Sequence, residues 1–135
     1  MILVDSSIWV SYYRPEGDEK IKKIIREGIS SDLIAINGLV MVEILGGISH
    51  KGDFKKVRSD FLGFHILPLE EKAFLEASEL GSFFRGKGIT VPPTDLIIAA
   101  SAIGSGYTLY HMDSHFDLIS RHTKLQAKNL GKEPS

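Results

Sequence analysis

Short apolar runs recur along this chain, and a stretch with helical spacing follows each of them. This alternation constrains the fold more than any other feature. Parallel strands need helical crossovers, and a sheet covered on both faces reads as continuous apolar runs rather than alternating ones. Met1-Ile2-Leu3-Val4 is the first such run, leading into the turn and cap cluster Asp5-Ser6-Ser7 and a helix over residues 8–13 that Pro15 and Gly17 break. A second helix carries Ile21, Ile24 and Ile25 on one face and ends at Gly28. The next buried strand is Leu33-Ile34-Ala35-Ile36, and Asn37 caps a helix over residues 38–48.

The pattern continues with a solvated helix over residues 51–63, its Phe54, Val57, Phe61 and Leu62 turned inward, and a short strand over 64–67 stopped by Pro68. A long helix over 70–84 has Ala73, Phe74, Ala77, Leu80 and Phe83 on one face, and Arg85-Gly86-Lys87-Gly88 reads as a flexible basic loop. Two prolines, Pro92 and Pro93, precede an apolar helix that Thr94 is placed to cap and that Gly104-Ser105-Gly106 ends. Strand residues 107–112 run into Asp113, a helical turn or two covers 116–121, residues 125–127 form an edge strand, and 131–135 read as a frayed tail. The expectation is an α/β three-layer sandwich with a mostly parallel central sheet, one domain spanning residues 1–130.

Composition narrows the function classes. The 43% hydrophobic content over 135 residues allows a real core, yet no run approaches the roughly 20 apolar residues of a membrane span. Asp5 follows the first strand without a basic segment before it, unlike a signal peptide. Zero cysteines exclude disulfides and thiolate metal sites and fit a cytoplasmic location. A net charge of −1 excludes the broad basic face of a protein that tracks long duplexes, so nucleic-acid contact is expected to be compact or assisted by a cation.

The acids carry the chemistry. Asp95 in the first turn of a helix complements the helix dipole, which is a sufficient structural role by itself. Asp5 and Asp113 follow strands, where an open α/β sheet places its sites, although either also serves as a cap. Glu43 is harder to place. It is the single charge of an otherwise apolar helix, expected to be buried on most sides, and the residues three and four away (Leu39, Val40, Gly46, Gly47) offer no partner. Protonation, a cross-fold partner such as Arg85 or Lys87, or a bound cation would each satisfy it. Carboxylates converging at one sheet end repel one another, and a hard cation such as Mg²⁺ removes that conflict. Ser6, Ser7 and Thr94 are hydroxyls beside these acids, suited to capping and to orienting metal ligands.

Four stretches in order, residues 2–9, Val42-Glu43-Ile44, residues 91–100 and Met112-Asp113-Ser114-His115-Phe116, make the chain resemble the PIN-domain family, most closely VapC-type toxins of prokaryotic toxin–antitoxin pairs. The resemblance implies a Mg²⁺- or Mn²⁺-dependent endoribonuclease acting on RNA, usually a homodimer held inactive by a small antitoxin. It assigns Asp5, Glu43, Asp95 and Asp113 as the metal-binding acids and Thr94 as the hydroxyl before the third. One position departs: the residue before the family's phenylalanine is often a further Asp, and here it is His115. Either Asp117 substitutes or the site manages with four acids. His115 itself reads as a surface residue, because a hard cation prefers oxygen. Arg14, Arg85 and Lys87 are the basic residues expected nearest the RNA, and Trp9, Tyr12 and Tyr13 divide between core packing and interfaces. The competing reading is a PIN-like interaction module without catalysis. A haloacid dehalogenase type of phosphohydrolase is set aside because it wants an acid where Ser7 stands. A phospho-receiver lacks its acid pair and late lysine here.

Overall fold

The computed structural model describes residues 1–131. Residues 132–135, most of the expected tail, lie outside the described residues. Five parallel strands form one sheet in the order β3-β2-β1-β4-β5, made of β1 (Ile2–Val4), β2 (Ile34–Ile36), β3 (His65–Ile66), β4 (Thr108–His111) and β5 (Gln126–Asn129). Among the described residues seven helices connect and flank them: α1 (Ser6–Tyr13), α2 (Glu19–Ser30), α3 (Gly38–Leu45), α4 (Lys51–Leu62), α5 (Glu71–Gly86), α6 (Pro93–Ser105) and α7 (Ser114–His122). The chain winds from β1 outward to β3, then crosses back through α5 and α6 to β4 on the other side of β1. Strand order therefore reverses between β1 and β4. In open α/β sheets the loops at the carboxyl ends of the strands diverge at such a reversal, and sites form there. Asp5 and Asp113 stand there, and the Asp5 backbone N–H donates to the Tyr110 carbonyl at 2.9 Å, which ties the two strand ends together.

The core lies on both faces of this sheet. Leu3, Val4, Ala35, Ile36 and Leu109 are fully buried, as both-side coverage demands. Trp9, on α1, is fully buried against Phe61 of α4 and stacks on Phe64 with centroids 5.3 Å apart and planes 11° apart. Core packing thus claims Trp9.

Several local expectations change. Asp5 itself caps α1, accepting from the Ser7 N–H at 3.3 Å, so that helix begins at Ser6. α2 continues past Gly28 to Ser30. Gly28 is a packing site there, since a Cβ would stand 2.7 Å from the Ile34 Cδ1. Asn37 caps α3 as expected, its side-chain oxygen accepting from the Val40 N–H at 2.9 Å. α3 is not buried on most sides, however: Val40 is buried but Val42 is 70% exposed and Glu43 is exposed. On α5, Phe74 and Phe83 are exposed and Phe84 takes the buried position; on α4, Leu62 is exposed. Arg85 and Gly86 belong to the last turn of α5 rather than to a loop. Thr94 is not the cap of α6, because that helix starts two residues earlier than such a cap would place it, with Pro93 at its first position and Pro92 before it. α7 starts at Ser114 and β5 runs two residues further than expected.

Candidate functional site

Three elements deliver the acids. Asp5 follows β1 and opens α1, Asp113 follows β4 and opens α7, and Asp95 sits in the first turn of α6. Each is thus an acid at a helix start, where the dipole and free N–H groups favour negative charge. Asp5 is 5% exposed and its Oδ2 accepts from the Ser7 hydroxyl at 2.6 Å. That hydroxyl in turn accepts from the Met112 N–H at 3.3 Å, so Ser7 pins Asp5 to the end of β4. Of the hydroxyls beside the acids, Ser7 rather than Ser6 holds Asp5.

His115 is the unexpected member. Its Nδ1 lies 3.0 Å from Asp95 Oδ2 and 3.2 Å from Asp113 Oδ1, while its backbone N–H donates to Asp113 Oδ1 at 2.8 Å. It is 40% exposed, but it is no bystander. Asp95, Asp113 and His115 each offer one ligand atom, all within 4.8 Å of one another. The sequence signal was the helical turn itself: an N-cap acid and the residue two positions on are brought together whenever the cap forms. Fixing the start of α7 two residues late hid it.

Glu43 approaches from α3. Partial burial of its carboxyl raises its pKa, and the charges of Asp5 and then Asp95 raise it further. Asp95 is also shifted upward: burial pushes it up, the His115 hydrogen bond pulls it down, and Asp113 and Asp5 push it up again. The exposure of α3 removes the argument that Glu43 is trapped in the core. Partial burial of the carboxyl itself and repulsion from Asp5 and Asp95 replace it. No lysine or arginine forms an ion pair with Asp5, Glu43, Asp95 or Asp113 among the described residues, so neither Arg85 nor Lys87 neutralises Glu43.

Behind the acids lies a residue that sequence reading missed. His111 is fully buried, at the end of β4, on the same face as Leu109. Its Nδ1 accepts from the Asp113 N–H at 3.1 Å, which leaves the proton on Nε2, facing Asp117 Oδ1 at 3.8 Å. Burial lowers its pKa, against the pull of Asp117, Asp5 and Asp113. Asp117 also accepts from Asn129 at 2.9 Å, linking β5 to this group. The period of two along β4 was the available signal, because it assigns residue 111 to the buried face. Arg14 closes α1 and is exposed, Arg85 lines a cleft of about 390 Å³ with Phe74, Pro93 and Leu96, and Lys87 lies 5.2 Å from the Phe83 ring centre.

The donor set fits a divalent cation. Carboxylates crowded enough to raise each other's pKa, with one imidazole nitrogen among them, gain most from a positive ion. The linkage sign follows from the upward shifts of Asp95 and Glu43. Between their ordinary and folded-state pKa values the folded chain binds more protons than the unfolded one, so stability without metal falls as pH rises through that window. Stabilisation by Mn²⁺ should therefore be slight below about pH 4 and grow as the acids ionise. Thermal melts with and without Mn²⁺ across that range check this; a shift that stays flat with pH contradicts it.

A PIN domain family model matches residues 2–121. The chain belongs to the PIN-domain family. Ribonuclease VapC11 of Mycobacterium tuberculosis is 32% identical, an alignment covering 96% of this chain and 99% of that protein, which places the chain with the VapC members of the family. Among solved structures, VapBC2 from Rickettsia felis, bound to a DNA fragment from its promoter, superposes with a TM-score of 0.76 at 23% identity, covering 96% of this chain and 98% of that one. Mycobacterium tuberculosis VapC20, described as a sarcin–ricin loop cleaving toxin, gives a TM-score of 0.68 at 16% identity, with 99% and 100% covered. Each alignment spans nearly the full length of both chains.

Proposed function

We propose that this PIN-domain chain is an endoribonuclease that hydrolyses RNA phosphodiester bonds with a divalent cation, Mg²⁺ or Mn²⁺, and acts as the toxin of a toxin–antitoxin pair. The observation that carries the reading is the set of acids at the β1/β4 switch point, where burial and mutual repulsion raise the pKa values of Asp95 and Glu43 and no lysine or arginine among the described residues pairs with them. The 32% identity to a VapC ribonuclease supports the same reading.

In this reading Asp5, Glu43, Asp95 and Asp113 hold the cation and do not attack the substrate. When bound, the cation supplies Lewis-acid charge against the phosphodiester and its leaving oxygen. Ser7 keeps Asp5 in place, the His111 ring holds the Asp113 backbone, and the dipole of α6 favours the ionised form of Asp95. Thr94 and Ser6 flank the acids as hydroxyls able to orient water, and Asp117 extends the acidic set through His111. Arg14, Arg85 and Lys87 are assigned to the RNA backbone, a modest electrostatic contribution that suits a chain of net charge −1.

The partners proposed are an RNA, a cognate antitoxin and a second copy of the chain, met in the cytoplasm. The exposed apolar side chains Val42, Phe74, Leu75 and Phe83 support protein contacts. No helix among the described residues is long and apolar enough to cross a membrane. Incubation of the purified protein with total RNA and with a sarcin–ricin loop oligonucleotide should yield discrete fragments in Mg²⁺ or Mn²⁺ and none in EDTA. Equal cleavage in EDTA would overturn the metal role, and intact RNA in both metals would leave the interaction module as the better reading.

A further inference from the structure

We propose that His115 is a nitrogen ligand of the cation at this site and that it biases the site toward Mn²⁺ over Mg²⁺; this rests on the metal-dependent reading above and goes beyond its four acids. Two restraints aim the side chain. Its backbone N–H is held by Asp113 Oδ1 at 2.8 Å, and its Nδ1 lies 3.0 Å from Asp95 Oδ2 and 3.2 Å from Asp113 Oδ1. The three donor atoms come from two helices whose starts meet at the switch point, so they converge without any flexible loop between them.

The spacing matches coordination. Adjacent ligands on an octahedral ion with bonds of about 2.1 Å lie about 3.0 Å apart. Both edges from His115 Nδ1, 3.0 and 3.2 Å, are already of that length. A cation can therefore take the place of the Nδ1 proton between imidazole and carboxylates, that proton leaving to solvent, while the third edge, between Asp95 and Asp113, lies within 4.8 Å. The choice of ion follows from donor chemistry. Mg²⁺ takes oxygen and keeps its waters, whereas a first-row transition ion accepts an imidazole nitrogen beside carboxylates. His115 makes the site a mixed oxygen and nitrogen set, and Mn²⁺ gains from that donor more than Mg²⁺ does.

The test uses the whole chain loaded with Mn²⁺ in place of any unidentified ion. Electron spin-echo envelope modulation should show nitrogen coupling from a directly bound imidazole in the wild type and lose it in His115→Ala and His115→Asp. Calorimetric titrations with Mn²⁺ and Mg²⁺ should show the Mn²⁺/Mg²⁺ affinity ratio falling about tenfold in His115→Asp, which keeps a donor at the position but makes it oxygen. Circular dichroism confirms that both variants fold, and the aspartate variant keeps the test valid if the alanine one does not. A wild type that binds Mn²⁺ without nitrogen coupling, or with a ratio unchanged in His115→Asp, overturns this inference alone. A wild type that binds neither ion overturns the metal reading and this inference together.

Discussion

Asp95→Asn should lower metal-dependent RNA cleavage by at least about 100-fold, since loss even of a residue that merely supports a metal ligand costs 10- to 100-fold. The substitution keeps the shape of the side chain and an oxygen for His115, whose Nδ1 stands 3.0 Å from the present carboxylate. What it removes is charge. That charge is unfavourable in the metal-free protein, because burial and the neighbouring Asp113 and Asp5 hold the Asp95 pKa above its ordinary value. The variant should therefore melt no lower than the wild type without metal at neutral pH, and the added stability in Mn²⁺ should shrink. This pairing of lost activity with retained or improved apo stability separates a functional acid from one that only complements the helix dipole. For a first-turn acid that served the dipole of α6 alone, losing the charge would instead destabilise the fold by about 0.3–1 kcal/mol. Asp5→Asn should also inactivate, and the double variant should be little worse than either single one if the two acids hold the same cation, as proposed. Full metal-dependent cleavage in Asp95→Asn would refute the assignment.

Trp9→Ala should produce the largest stability loss, about 3–5 kcal/mol. Trp9 is fully buried, stacks on Phe64, and meets Phe61, Tyr12 and Tyr13 within 6.0 Å between ring centres. It anchors α1, whose N-cap is Asp5, so the same change should also weaken metal binding by loosening that acid. Trp9→Phe should cost much less. The indole Nε1 is buried without a hydrogen-bond partner among the described residues, and removing an unsatisfied donor offsets part of the lost volume. Urea denaturation of the two variants measures the difference. Equal losses would contradict this account of the Trp9 site.

Much of the architecture was legible in the sequence because burial on both faces leaves an unambiguous trace. Ile34-Ala35-Ile36 is buried at all three positions and reads as a continuous apolar run. Asn37 before an apolar helix is an equally direct signal, since the side chain meets the N–H three residues on whatever the rest of the protein does. The environment of α3 was not legible. An all-round apolar helix says that something covers it, not that the same chain does, and here Val42 remains 70% exposed. Phe74, Phe83 and Phe84 show the same limit, because a helical face defined by spacing fixes relative angles and not which face meets the sheet. Thr94 was misplaced as a cap for a different reason: Pro93 needs no N–H donor and starts the helix two residues earlier than a Thr94 cap would.

The sequence by itself determined the alternation of strands and helices and put Asp5 and Asp113 at strand ends and Asp95 at a helix start, because strand runs and helix starts are local and their residues sit side by side in the chain. Tertiary structure alone decided which of those acids meet. The reversal of strand order between β1 and β4 brings Asp5 beside Asp113, separated by more than a hundred residues of chain, and carries Glu43 and Asp95 into the same field. It also turned His115 from a surface residue into a neighbour of two acids, and placed the buried His111 behind them. Charge repulsion and ligand geometry depend on distances across the fold, and those distances appear only once the sheet is wound.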